Sequence, residues 1–184
     1  MTLRIGLACL TLLLTLGTGT ALMPPEKAAF ALGGVNYFHR YANGDMHEYT
    51  PSGQEDLKRW KDMVTINTYR DAKDGDALVA AANTVLGNYK AAKAVVVKTS
   101  SIPRTAEKPA EHLIVVLFPR PDFIEAVFAR FRMHEGTGTS VIYSHRIYGA
   151  KAGNAMSVWL KKNGPAREKS LMSWNAMPKE GSGK

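Results

Sequence analysis

Ser144 and His145 stand side by side in the stretch TSVIYSHRIYG (139–149), with Arg146 next and tyrosines on either side. A serine beside a histidine raises nucleophilic catalysis, in which an imidazole takes the hydroxyl proton across a hydrogen bond. The stretch is rich in β-branched and aromatic residues, so it reads as a strand. Successive side chains on a strand point to opposite faces. Val141, Tyr143, His145 and Ile147 then share one face, and Ile142, Ser144, Arg146 and Tyr148 the other. A regular strand therefore excludes a Ser144–His145 dyad, and only a bulge there would restore it.

The remaining chemistry-bearing residues form weaker patterns. Five histidines (His39, His47, His112, His134, His145) show neither an i, i+4 pair nor the H-E-x-x-H spacing of a helical zinc site. A metal site would have to gather His112, His134 and His145, with Glu111, from distant positions. Arg146 and Tyr148, set against Arg130 or Arg132 across a hairpin, suggest a cationic–aromatic patch for a carboxylate or phosphate. The same residues can equally pack as cross-strand and cation–π pairs. Arg104 lies in the loop TSSIPRTAEKPAEH (99–112), and long loops often carry function. There is no phosphate-binding loop, no G-x-S-x-G and no dinucleotide fingerprint. No catalytic residue is assigned, and no cofactor is expected.

The N-terminus bounds where such residues would work. Arg4 precedes an apolar run from Ile5 to Leu16, about a dozen residues, a length that suits a signal-peptide core and falls short of a bilayer span. Gly19-Thr20-Ala21 follows, so cleavage is expected after Ala21; Ala29-Phe30-Ala31 is a second, lower-ranked candidate. The only cysteine, Cys9, sits inside this leader. The chain beyond it can form no disulfide, thiolate metal site or cysteine nucleophile. A periplasmic or secreted protein held by its core alone is expected. The formal charge is +8, but the basic residues are scattered and form no nucleic-acid arm.

These residues need elements to position them. Asn43-Gly44 in GGVNYFHRYANGDMHEYTP predicts a hairpin. Ser52 and Glu55 in SGQEDLKRW have capping-box spacing, which predicts a short helix. DMVTINTY (62–69) and AVVVKTSS read as strands. DGDALVAAANTVLGNYKAA reads as a helix capped by Asp74 or Asp76, with Leu78, Ala81, Ala82, Val85, Leu86 and Tyr89 in one stripe. HLIVVLF (112–118) is apolar on both alternating faces, as expected of a central strand covered on both sides. Residues 124–134 and 139–148 read as a long hairpin. GNAMSVWLKKNGP predicts a helix ended by Gly164 and Pro165, with REKSLMSW a separate short helix.

Strands in succession without helical crossovers predict an α+β fold: a mostly antiparallel sheet covered by helices, in an α/β/α sandwich. The expected division is a signal peptide (1–21), a linker (22–34), one domain (35–177) and a disordered tail (178–184). This order, with the stretches DMVTINTY and TSVIYSHRIYG, resembles PsbP-like and Mog-type domains, including DcrB-like envelope proteins, over roughly residues 35–163. The chain is also similar to small, uncharacterised exported proteins of proteobacteria, in phrases such as YTPSGQEDL and AEHLIVVL. The resemblance implies a domain that binds and assists other proteins, and it carries no functional residue across. The resulting expectation is an exported, non-catalytic binding or accessory protein with a protein partner in the cell envelope, acting through a sheet face or the 99–111 loop. No nucleic-acid partner and no stable membrane insertion after cleavage are expected. The alternatives are a hydrolase or metal-dependent enzyme with a histidine-lined site, and an immunity or chaperone-like protein for a secreted toxin.

Overall fold

The structure, a computed structural model, describes residues 26–178; the expected signal peptide and most of the expected tail lie outside them. Eight strands and two helices follow one another as β1 (Phe30–Leu32), β2 (Val35–Asn43), β3 (Met46–Thr50), β4 (Asp62–Tyr69), α1 (Gly75–Ala91), β5 (Val95–Ile102), β6 (Glu111–Pro119), β7 (Phe123–His134), β8 (Thr137–Tyr148) and α2 (Ala152–Ser173). All strands lie in one sheet ordered β1-β2-β3-β4-β8-β7-β6-β5, and every neighbouring pair is antiparallel. The expected α+β sandwich is what forms.

Alternation along the central strands builds a core on each face. Ile114, Val116, Val127, Ala129 and Phe131 meet Leu78 and Ala82 of α1. Leu113, Val115, Ala126, Phe128, Val141 and Tyr143 meet Met156 and Leu171 of α2, and Trp174 beyond it. β6 is thus apolar on both faces because a helix lies over each. Fully burying side chains of this kind contributes roughly 1.5–3 kcal/mol apiece. Asp74 caps α1, its carboxylate accepting from Ala77 N at 2.8 Å. The long hairpin closes through Glu135 (φ +48°) and Gly136 (φ +72°), two left-handed residues that match the twist of the flanking strands.

Three expectations are corrected. The Ser52–Trp60 segment forms turns and no helix. Gly53 has φ +78°, outside helical space, and Glu55 accepts from Gly53 N and not from Ser52. Gln54 Oε1 then accepts from both Lys61 N and Asp62 N, tying the turn to the start of β4. Gly164 and Pro165 do not end a helix, since α2 runs through them to Ser173. Pro165 is exposed, so the carbonyl it leaves without an N–H partner can turn to water, and Leu171 and Trp174 beyond it pack into the core. That burial outweighs the local stop signal. Lastly, the span read as a linker contains β1, whose Phe30 and Leu32 are core residues. Cleavage at the second candidate position, after Ala31, would cut this strand.

Candidate functional site

β7 and β8 pair without interruption from Phe123↔Tyr148 to His134↔Thr137, so no bulge breaks the alternation. Ser144 and His145 accordingly lie on opposite faces and form no dyad. The same alternation separates the arginine candidates. Arg130 and Arg132 point to the α2 face, and Arg146 and Tyr148 to the α1 face. The single patch expected from the four residues does not exist.

Each of these residues is engaged in packing. Arg130 is 2% exposed. Its Nε and Nη2 donate to Glu111 at 2.8 and 2.9 Å, and its Nη1 to the carbonyls of Leu171 and Trp174 at 2.9 and 2.6 Å. Burial works against its charge and Glu111 works to keep it. Arg132 donates to Trp174 O and to Asn175 Oδ1. Together they bind the carbonyls that α2 leaves open at its C-terminus. Arg146 lies between the rings of Trp60 and Phe123, 3.9 and 4.3 Å from their centroids, and donates to Glu125 at 2.8 Å. Tyr148 donates to Trp60 O at 2.8 Å.

The histidine trio is not assembled either. His112 faces α1, with Nδ1 2.8 Å from Ser101 Oγ and Nε2 buried without a partner; desolvation lowers its pKa. His134 and His145 point to the other face, eight register steps apart on the hairpin. Among the described residues no group of three or more His, Cys, Asp or Glu could hold a metal ion.

What the sequence did not bring forward is Asp62. Its Oδ1 accepts from Tyr143 OH at 2.6 Å and lies 2.9 Å from His145 Nδ1. Burial favours the neutral carboxyl, but the hydrogen bonds from His145 and Tyr143 outweigh it and hold the pKa below the usual value. Burial, with Asp62 adding, pushes the Tyr143 phenol far up. The His145 ring stacks on Trp159 of α2 at 4.0 Å with planes 6° apart. This cluster orients the ring and joins α2 to the sheet. The antiparallel pair Asp62↔His145 in β4 and β8 is the signal that would have found it.

Among the described residues, exposed large apolar side chains concentrate on β5. It ends the sheet, and among the described residues no strand pairs its outer edge. Val95, Val97 and Ile102 are 56%, 51% and 52% exposed. A β-bulge at Val97 and the basic Lys98 are devices that usually blunt an edge. Here, however, Lys98 Nζ is turned back onto Glu168 of α2 at 2.7 Å. Between this edge and α2 runs a groove of about 590 Å³, floored by Leu113, Val115 and Phe128 and walled by Leu160 and Met172. Arg104 is exposed in the loop just after β5.

No protein-family model and no curated protein matches the chain. Among solved structures it is similar to the Ran-binding protein Mog1p of Saccharomyces cerevisiae, at 12% identity and a TM-score of 0.41, over 81% of this chain and 80% of that one. A point variant of Mog1 aligns at 10% identity and a TM-score of 0.38, over 80% of each chain. Human STARD10 aligns at 8% identity and 0.33, over 75% of this chain and 74% of its own. These are weak fold-level likenesses, and no residue role passes across them.

Proposed function

We propose that this chain is an exported, non-catalytic accessory protein that captures an extended segment of a protein partner along the outer edge of β5. The observation that carries this reading is the unpaired edge of β5, with Val95, Val97 and Ile102 exposed along it. A segment adding there would gain main-chain hydrogen bonds from the edge, and every second side chain would meet the apolar groove beside α2. Lys93 before β5 and Arg104 and Lys108 after it favour acidic residues at the ends of that segment. Export is supported by the leader pattern of residues 1–21.

The test is a photo-reactive residue placed at Val97 or Ile102, compared with one at Val158 on α2, which is 66% exposed and equally apolar. The same partner should crosslink from both β5 positions and not from Val158, and the purified partner should slow amide exchange over 95–102. Equal yields from all three positions, or unchanged exchange, would sink the reading. Export is tested separately by fractionation and N-terminal sequencing, with the mature chain expected to begin at Leu22.

A further inference from the structure

Two histidines outside the expected trio meet on the α2 face of the sheet. His39 pairs with Tyr49, but a bulge then inserts Arg40, and pairing resumes as Tyr41↔Glu48 and Ala42↔His47. The bulge changes the phase of β2 and leaves His39 diagonal to His47. His39 Nε2 and His47 Nδ1 are 3.3 Å apart, with ring centroids 5.5 Å apart and planes tilted by 45°. Bulges often re-aim a side chain beside a functional site.

That separation is long for a hydrogen bond between nitrogens. It suits a different task. Two imidazoles at ~2.0–2.1 Å from a tetrahedral ion hold their nitrogens about 3.3–3.4 Å apart. To bind one ion, both rings would turn so that their lone pairs converge on it, giving up the contact they now make with each other. We propose that His39 and His47 form a two-histidine site for a borderline divalent transition metal such as Zn²⁺ or Cu²⁺, with the remaining coordination positions taken by water or a small donor. The site opens onto a cavity of about 770 Å³ lined also by Tyr49, Thr68, Thr139 and His134, which has room for such a donor. The nearby Asp45 carboxylate is engaged by Arg70. With nitrogen ligands and no carboxylate of its own, the site favours Cu²⁺, Ni²⁺ or Zn²⁺ over Mg²⁺ or Ca²⁺.

The experiment is calorimetric titration of untagged protein with Zn²⁺ and with Cu²⁺, alongside His39→Ala, His47→Ala and, as a control on the other face, His112→Ala. One ion should bind per chain. Either single variant should weaken binding by about tenfold or more, the equivalent of about 1.4 kcal/mol, and His112→Ala should leave it unchanged. Cu²⁺ electron paramagnetic resonance should show two coupled imidazole nitrogens, and His39→Gln should lose one while keeping the circular dichroism of the parent. Absence of saturable binding, or binding that survives both alanine variants, would overturn the site. Since β5 lies at the far edge of the sheet, these outcomes are independent of partner capture there.

Discussion

Replacing Arg130 with methionine removes four hydrogen bonds at once while keeping much of the side-chain volume. Two of those bonds go to Glu111, and two go to the carbonyls of Leu171 and Trp174 at the end of α2. Breaking one partner of a buried ion pair typically costs about 3–5 kcal/mol, because the other charge is left uncompensated. Glu111 retains 23% exposure and can partly rehydrate, which places the expected loss near the lower end, about 3–4 kcal/mol. At roughly 2–4 °C per kcal/mol for a domain of this size, Tm should fall by about 6–16 °C. Urea and thermal unfolding measure this directly. Glu111→Gln should cost a comparable amount: the guanidinium keeps its two carbonyl acceptors, but its charge, buried more deeply than the carboxylate, loses its counterion. The double variant should then lose less than the sum of the two singles. A loss below ~1 kcal/mol for Arg130→Met, or strict additivity in the cycle, would refute the conclusion that Arg130 is a structural strut and return it to the candidate ligand residues.

Other consequences are as direct. A Cβ at position 138 would lie 2.6 Å from Ala72 Cβ and 3.4 Å from Ala72 O, so Gly138→Ala should destabilise the fold by about 1–3 kcal/mol through overpacking, read by urea unfolding. Pro165→Ala should raise Tm, with about 1–2 kcal/mol gained from the restored bond inside α2. Asp62 has a folded-state pKa below its unfolded one, so its contribution is complete above the unfolded value and is lost as pH falls through the folded one. Wild-type stability should therefore drop more steeply below about pH 4 than that of Asp62→Asn, which should be the weaker protein at neutral pH; parallel acid-unfolding curves would contradict this. Val95→Lys and Ile102→Lys change exposed side chains, so stability should stay within about ±0.5 kcal/mol while crosslinking at the β5 edge is lost.

Local periodicity was enough to read much of this chain. Alternation identified β6 as covered on both faces and placed Ser144 and His145 back to back, because a strand has a period of two whatever packs against it. The helical stripe and the Asp74 cap of α1 were legible for the same reason, since spacing and capping chemistry act within a few residues. What depended on distance was not legible. Asp62 and His145 are 83 residues apart and meet only because β4 pairs with β8. His39 and His47 share a face because of a bulge at Arg40 that no spacing announces. Arg130 and Arg146 were grouped across one hairpin, although their positions in the register send them to opposite faces. Gly164 and Pro165 were stop signals by local rule, and the packing of Leu171 and Trp174 carried the helix past them. The sequence by itself determined the elements and their faces, because those follow from bonded neighbours and side-chain period. The tertiary structure decided which polar groups meet and which edge stays open, because pairing order and burial between distant segments set both.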